Sequence, residues 1–367
     1  MNAVRVLLTG GGTGGHIYPA LSMMKAIKEK YPDATFLYIG TPDGLEAKIV
    51  PAANVDFKSV RVSGIRRSLS LENIKTAYRF LTSIGASKKY IKAFNPDIVI
   101  GTGGYVCGPV VYGAAKLKYK TLIHEQNSLP GITNKFLARY VDKILICFDE
   151  AKKYFPADKV ILTGNPRASE VASTLRLGKT ALGLNSRKKT VLISGGSRGA
   201  RPINEAFISM VEKYEKANFQ VVFVTGEVHY DTIVGQIETA QQLKNVKILP
   251  FIADMPKFLV SIDLFVGRSG ATFLSEITAL GVASILIPSP YVAENHQEFN
   301  ARSVTEHGGG TLILERDLTG EVLFDEIERL LNDDACLMSM RNATKKLGIP
   351  DASARILSVI DELISGD

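Results

Sequence analysis

The chain has 367 residues, 46% of them hydrophobic and 22% charged, which suits about two packed domains and excludes a disordered polymer. Its formal net charge is +7. Its three cysteines, Cys107, Cys147 and Cys336, are scattered and form neither a disulfide framework nor a metal-type spacing, so a reducing cytoplasm is the expected setting.

The chain opens on VRVLLTGG, a short buried strand without a secretory leader. It runs into Gly10-Gly11-Gly12-Thr13-Gly14-Gly15-His16, five glycines in six residues and then the first histidine. A helix is expected over Pro19–Lys30, followed by strands TFLYIG, DIVIGTGG, KTLIHE and KILICF, with a long helix over Leu71–Phe94 between the first two of these. The longest uncharged run, Ile98 to Ala115, holds five glycines and Pro109, a strand and loop rather than a membrane span. Near Gly164-Asn165-Pro166 the rhythm breaks and then restarts: KTVLISGGS, FQVVFVTGE, VKILPFI, DLFVGRSG, ASILIP and GTLIL form a second set of strands. The halves echo each other, VLLTGGGTGG against TVLISGGSRGA and PDIVIGTGG against IDLFVGRSG. Strands alternating with helices imply parallel sheets covered on both faces. The fold class is therefore α/β, two Rossmann-like domains facing across a cleft. The first spans residues 1–164, the second 165–350, and a terminal helix, about 351–367, packs back on the first.

Glycine loops between a strand and a helix leave backbone N–H groups facing a ligand at a helix N-terminus, a favourable place for phosphate. Neither GGGTGGH nor GGSRGAR carries the Lys-Ser/Thr of a P-loop, so an NTPase is not expected. A dinucleotide fingerprint fits poorly, because TFLYIG is followed by TPDGLE, with Asp43 and Glu46 in a turn-like context. No DxD pair is present to hold a metal–nucleotide complex, so no metal and no cofactor is expected. Phosphate charge would fall to helix dipoles, hydroxyls and arginines.

Charge is concentrated between Arg61 and Lys92, with eight basic residues against Glu72. On the expected helix, Ile74, Tyr78, Leu81 and Ile84 fall on one face, with Arg66, Arg67, Lys75 and Arg79 beside or before it. That pattern fits a helix lying on an anionic membrane surface; packing against the sheet is the competing reading. A nucleic-acid partner is not expected, since tryptophan is absent and the basic stretch lacks interleaved aromatics.

Taken in order, GGGTGGHIYPA, GTGGYVCGP, HEQNSLPGITNK, GNPR, GGSRGA, PFIADM, RSGATFLSE and ENHQEFNAR resemble the MurG family over nearly the whole chain. The resemblance implies the GT-B fold and an inverting transfer of GlcNAc from UDP-GlcNAc to the C4 hydroxyl of MurNAc in lipid I, giving lipid II. It implies a peripheral enzyme at the cytoplasmic face of a bacterial membrane, with other cell-wall synthesis proteins as further partners. A UDP-GlcNAc 2-epimerase of the same fold is the alternative.

By the same resemblance, Arg167, Ser197, Ile252, Ala271, Thr272, Glu276 and Gln297 hold the donor. Ile252 meets uracil through its backbone, Glu276 accepts from the ribose hydroxyls, and Gln297 both donates to and accepts from GlcNAc hydroxyls. Thr13, Gly14 and Gly15 are assigned to the donor together with Asn127, although their amides also suit the lipid diphosphate. Gly103, Gly104, Tyr105 and His124 are assigned to the acceptor. Many relatives have Gln where this chain has Arg198, which adds a cation beside the diphosphate. A single displacement needs a base for the attacking hydroxyl and stabilisation of departing UDP. His16 is the first candidate base and Glu125 its rival; a buried, helix-capping His16 is the third reading. His229 and His307 receive no role.

Overall fold

The computed structural model describes residues 3–62, 71–175, 178–196, 198–237 and 243–366, leaving the side chains of residues 71–75 and 77 undescribed. The chain divides into two units, Met1–Ser169 with Ile349–Asp367, and Glu170–Gly348.

In the first unit the strands are β1 (Arg5–Thr9), β2 (Thr35–Gly40), β3 (Asp56–Ser59), β4 (Ile98–Gly101), β5 (Lys120–Glu125), β6 (Lys143–Ile146) and β7 (Val160–Leu162). They form one seven-stranded sheet, ordered β3-β2-β1-β4-β5-β6-β7 and parallel throughout. The helices are α1 (Gly14–Lys30), α2 (Glu46–Ala52), α3 (Leu71–Phe94), α4 (Cys107–Lys116), α5 (Ile132–Leu137) and α6 (Pro166–Ala172), which crosses into the second unit. Two strands, DFKS and VIL, escape the sequence reading. Both are edge strands, too short or too polar for an apolar run to mark them.

The second unit contains β8 (Thr190–Ser194), α7 (Arg201–Ile208), α8 (Val211–Lys216), β9 (Gln220–Val224), α9 (Glu227–Gln236), β10 (Val246–Leu249), α10 (Met255–Leu259), β11 (Leu264–Gly267), α11 (Ala271–Leu280), β12 (Ala283–Leu286), α12 (His296–Thr305), β13 (Gly310–Leu312), α13 (Gly320–Asn332) and α14 (Asp334–Leu347). Its six-stranded sheet runs β10-β9-β8-β11-β12-β13, also parallel. The final helix, α15 (Ala352–Ser365), returns to the first unit. There Ile356, Val359, Ile360 and Leu363 join the core beneath α1, and Tyr31 donates to Asp361 at 2.5 Å.

Both sheets reverse direction at their first strand. The switch points therefore lie between β1 and β4 and between β8 and β11, where open parallel sheets bind ligands at the strand carboxyl ends. The central strands read as continuous apolar runs because helices cover both faces: Val6, Leu7 and Leu8 in β1 and Val191, Leu192 and Ile193 in β8 are essentially buried.

Candidate functional site

In the first unit the loops after β1 and β4 are built against each other. Gly11 N donates to Gly103 O at 3.2 Å, and Thr102 Oγ1 donates to His16 O at 2.8 Å. A Cβ on Gly104 would stand 2.3 Å from Gly11 O, and Gly104 holds φ +85°, so glycine is required there for both reasons. Helix α1 starts inside the loop, at Gly14, five residues before the expected Pro19 start. Glycine is a poor helix former, but burial of Ile17, Ala20, Met23 and Ile27 on one face commits the first turn. Thr13, Gly14 and Gly15 thus occupy the cap and first turn of a 17-residue helix, where N–H groups lack intrahelical acceptors.

His16 sits on this turn, half-buried, with its ring over Gly103, where a Cβ would come within 2.7 Å of Cδ2. Its Nδ1 lies 2.9 Å from Gly11 O. A carbonyl only accepts, so Nδ1 carries the proton and Nε2 is the basic nitrogen. Tyr105 projects from the β4 loop, 61% exposed.

The end of β5 differs from expectation. His124 is fully buried, its Nε2 donating to Gly164 O at 3.0 Å and its Nδ1 accepting from Gln126 Nε2 at 2.9 Å. Burial pushes the imidazole down to about 4, against the pull of the Gly164 hydrogen bond, so it is neutral. With both nitrogens used inside the unit, His124 supports the loop rather than touching an acceptor sugar. Glu125, the rival base, is 2% exposed. It accepts from Asn127 N (2.9 Å), Asn127 Nδ2 (3.1 Å), Gly131 N (3.1 Å) and Asn134 Nδ2 (2.9 Å). Four donors occupy its lone pairs, and the carboxylate clamps the loop before α5 instead of being poised for a substrate proton.

Glu46 was passed over in the sequence as part of a turn, yet it is fully buried beneath the first glycine loop. Its Oε2 accepts from Gly12 N at 3.1 Å, and its Oε1 from Thr41 N at 2.9 Å and Thr41 Oγ1 at 2.6 Å. Desolvation raises its pKa, but the hydrogen bonds from Thr41, its own amide and Gly12 outweigh burial and hold the carboxyl below its usual range. The signal in the sequence was spacing: Gly11, Gly40 and Gly44 leave the volume the carboxylate and its stem fill, each placing a would-be Cβ within 2.6 Å of it.

In the second unit, Gly270 is the N-cap of α11, Ala271 and Thr272 open its first turn, and Glu276 lies on its second turn, 5% exposed. Ser269 Oγ donates to Gln297 O at 2.7 Å, which fixes the start of α12 against the β11 loop. The side-chain Oε1 of Gln297 accepts from Ser289 N at 2.9 Å. One lone pair of the oxygen is thereby used inside the unit, leaving its second lone pair and the amide N–H donors as its further hydrogen-bonding capacity. Just before α12, Glu294 and Asn295 both adopt left-handed backbone, φ +53° and +52°, a strained pair that sets the entry of this helix. Arg268, in the β11 loop, is paired with Glu315 and donates to Ile287 O at 3.0 Å. Ile252 follows β10, 5% exposed. Arg167 lies half-buried at the start of α6, its N–H capped by Asn165 Oδ1 at 3.1 Å. Arg198 is exposed in the β8 loop, whereas Ser197 lies outside the described residues, as do Arg66, Arg67 and the side chains of Ile74 and Lys75.

On α3, the small polar face of Thr76, Ser83 and Ser87 is buried together with Ile91, and Ser83 Oγ donates to Arg61 O at 2.7 Å. Gly113 of α4 packs against Lys88 and the Ile84 carbonyl. Tyr78 and Leu81, from the expected apolar stripe, are 69% and 66% exposed, Arg79 is exposed, and Ile84 is half-buried. Among the described residues no helix is long and apolar enough to cross a membrane.

Two doubly wound parallel sheets in one chain, with glycine loops at both switch points, are the architecture of the GT-B fold, and the family matches make the chain a glycosyltransferase of that type. The chain belongs to glycosyltransferase family 28 and, within it, to the MurG family. The N-terminal domain of that glycosyltransferase family matches residues 6–146 and its C-terminal domain residues 190–356. The chain is 55% identical, over 98% of its own length and 100% of the relative, to the UDP-N-acetylglucosamine–N-acetylmuramyl-(pentapeptide) pyrophosphoryl-undecaprenol N-acetylglucosamine transferase 1 of Bacillus cereus. The crystal structure of Acinetobacter baumannii MurG superposes with a TM-score of 0.80 at 26% identity, covering 98% of this chain and 99% of that one. A UDP-N-acetylglucosamine 2-epimerase superposes at 0.69 with 16% identity, covering 100% and 98%, a likeness of fold alone.

Proposed function

We infer that this chain is an inverting transferase moving GlcNAc from UDP-GlcNAc to the C4 hydroxyl of MurNAc in lipid I. The observation that carries the reading is His16, held by Gly11 O as an Nδ1–H tautomer on the glycine loop of the first switch point, in a chain with full-length MurG kinship. His16 Nε2 takes the C4 hydroxyl proton, the C4 oxygen attacks the anomeric carbon, and the bond from that carbon to the UDP oxygen breaks. Gly103, Gly104 and Tyr105 receive the acceptor, while the amides of Thr13, Gly14 and Gly15 cradle a diphosphate. Glu125 and His124 position this loop cluster, and Asn127 lies on the segment that Glu125 clamps.

In the second unit, Arg167, Ser197, Ile252, Ala271, Thr272, Glu276 and Gln297 form the donor set. The helix N-termini near Ser197 and Gly270 stabilise the charge on departing UDP. The exposed Tyr78 and Leu81, with the cations around them, dock the enzyme on the anionic cytoplasmic face of the membrane, where the lipid acceptor is tethered.

The deciding assay measures UDP release from UDP-GlcNAc with and without a polyprenyl-diphospho-MurNAc acceptor. Release only with acceptor, together with a disaccharide product, supports the transferase. Acceptor-independent turnover to a 2-epimer overturns it in favour of the epimerase.

A further inference from the structure

The peptide unit between Gly11 and Gly12 has hydrogen bonds at both ends. Its N–H donates to Glu46 Oε2 at 3.1 Å, and its C=O accepts from His16 Nδ1 at 2.9 Å. A buried carboxylate, one rigid planar amide and the imidazole of the candidate base thus lie in series. We propose that Glu46 is a positioning residue for the transfer reaction, acting on His16 through the Gly11–Gly12 peptide. This rests on the reading of His16 as the base.

The physics is that of a carboxylate–histidine pair with an amide inserted. A charged acceptor on the N–H end polarises the amide and strengthens its carbonyl as an acceptor, since hydrogen bonds in a chain reinforce one another in a low-dielectric interior. The stronger carbonyl fixes the Nδ1–H tautomer, directs the Nε2 lone pair outward, and favours the imidazolium formed when Nε2 takes the hydroxyl proton. No proton travels along the chain. The proton from C4–OH resides on Nε2 while the C4–O–C1 bond forms and the C1–O bond to UDP breaks, and it then passes to solvent.

The titratable groups packed around the two loops include Glu46 from α2, Tyr38 from β2 and Cys107 from α4, with Tyr18 of α1 against Gly14. Tyr38 donates to Gly10 O at 2.8 Å, and Cys107 Sγ donates to Thr9 O or Gly103 O at 3.1 or 3.0 Å. Burial pushes the tyrosine well above its ordinary value and the thiol up to about 12, and the charge on Glu46 adds to both shifts. Both are neutral, and Glu46 is the charged group hydrogen-bonded to this peptide. Its isolation is also built in. Gly11, Gly40 and Gly44 each lack a side chain where the Glu46 carboxylate or stem stands, and Thr41 supplies two further donors that hold it ionised.

The test uses the full-length protein with Glu46→Gln, Glu46→Asp and His16→Ala, read by NMR of histidine labelled at Cε1 and at both ring nitrogens. In the unaltered protein, ring-nitrogen shifts should report Nδ1–H as the dominant neutral tautomer of His16; an Nε2–H tautomer overturns the proposal without any variant. In Glu46→Gln the titration of His16 and the acid limb of the kcat profile should move together to lower pH. At the same time kcat should fall about 10–100-fold, the range seen when the group orienting a ligating histidine is lost, with KM for UDP-GlcNAc unchanged. Glu46→Asp, which keeps the charge, should recover part of both. The double variant with His16→Ala should be no slower than His16→Ala alone, since the effect runs through His16. A folded Glu46→Gln protein with unaltered His16 titration refutes the relay. A shifted titration combined with normal kcat in His16→Ala keeps the relay and refutes His16 as the base.

Discussion

At the scale of single residues, burial sorts groups that the sequence presents as equals. Glu276 lies on the second turn of α11 and Gln297 on the first turn of α12. Glu276→Ala and Gln297→Ala should each raise KM for UDP-GlcNAc by about 2–10-fold, as expected for a lost hydrogen bond of ~0.5–1.5 kcal/mol, with the melting temperature nearly unchanged. Wild-type donor kinetics in both would remove them from the donor set. His124 makes a different prediction, about stability and pH. Its folded pKa, about 4, lies below the unfolded value, so between those values the unfolded chain binds the extra proton. The contribution of neutral His124 is complete above about pH 6.5 and is lost as pH falls toward 4, on the order of 3 kcal/mol across the window. His124→Gln should lower stability at pH 7.5 and flatten its fall between pH 6.5 and 4. Urea melts across that range measure both, and an unchanged slope would mean that His124 is not buried neutral.

At the scale of elements, the strand–helix alternation and all four glycine loops were legible because parallel strands covered on both faces read as apolar runs and glycines punctuate their ends. DFKS and VIL were not legible, since an edge strand is defined by a neighbour's backbone and not by its own side chains. The start of α1 was misplaced because local propensity disfavours Gly14 and Gly15, while tertiary burial of the Ile17 face decides. The candidate site was legible as a set of residue types but not as roles. HEQN offered Glu125 as a rival base to His16 and His124 as an acceptor contact, and the hydrogen-bond partners show both held inside the unit. Glu46 was missed because its role depends on a peptide 34 residues away. The joint between the two first-unit loops can be tested directly. Gly104→Ala places a Cβ 2.3 Å from Gly11 O at φ +85°. Backbone strain of about 1–3 kcal/mol should lower the melting temperature by several degrees, and displacement of Gly11 should lower kcat as well. Calorimetry and turnover on one sample check this. A variant with unaltered melting and turnover would show that the loops do not bear on each other.

At the scale of the whole molecule, the proposed docking on a membrane surface turns on helix α3. Its small, hydroxyl-rich face is used inside the unit, through Ser83, Ser87 and Ile91, so packing against the fold does not consume Tyr78 and Leu81. Those two large side chains are exposed beside Arg79, and the segment from Arg61 to Lys92 carries eight cations against one acid. Rings and aliphatic groups enter the headgroup boundary while cations meet anionic lipid, each contributing about 1 kcal/mol. Removing four such cations should cost about 4 kcal/mol, roughly a thousandfold in partitioning, and reversing their sign more. Arg66, Arg67, Lys75 and Arg79 all changed to Glu should therefore abolish sedimentation with phosphatidylglycerol vesicles at moderate salt. Tyr78→Ser with Leu81→Ser should weaken binding at every salt concentration, since it removes the apolar share. Both proteins should turn over a short-chain, water-soluble acceptor at close to the normal rate, because none of these residues belongs to the donor or acceptor loops. Vesicle binding that survives the charge reversal, or that is equally strong on zwitterionic lipid and indifferent to salt, would exclude electrostatic docking through α3.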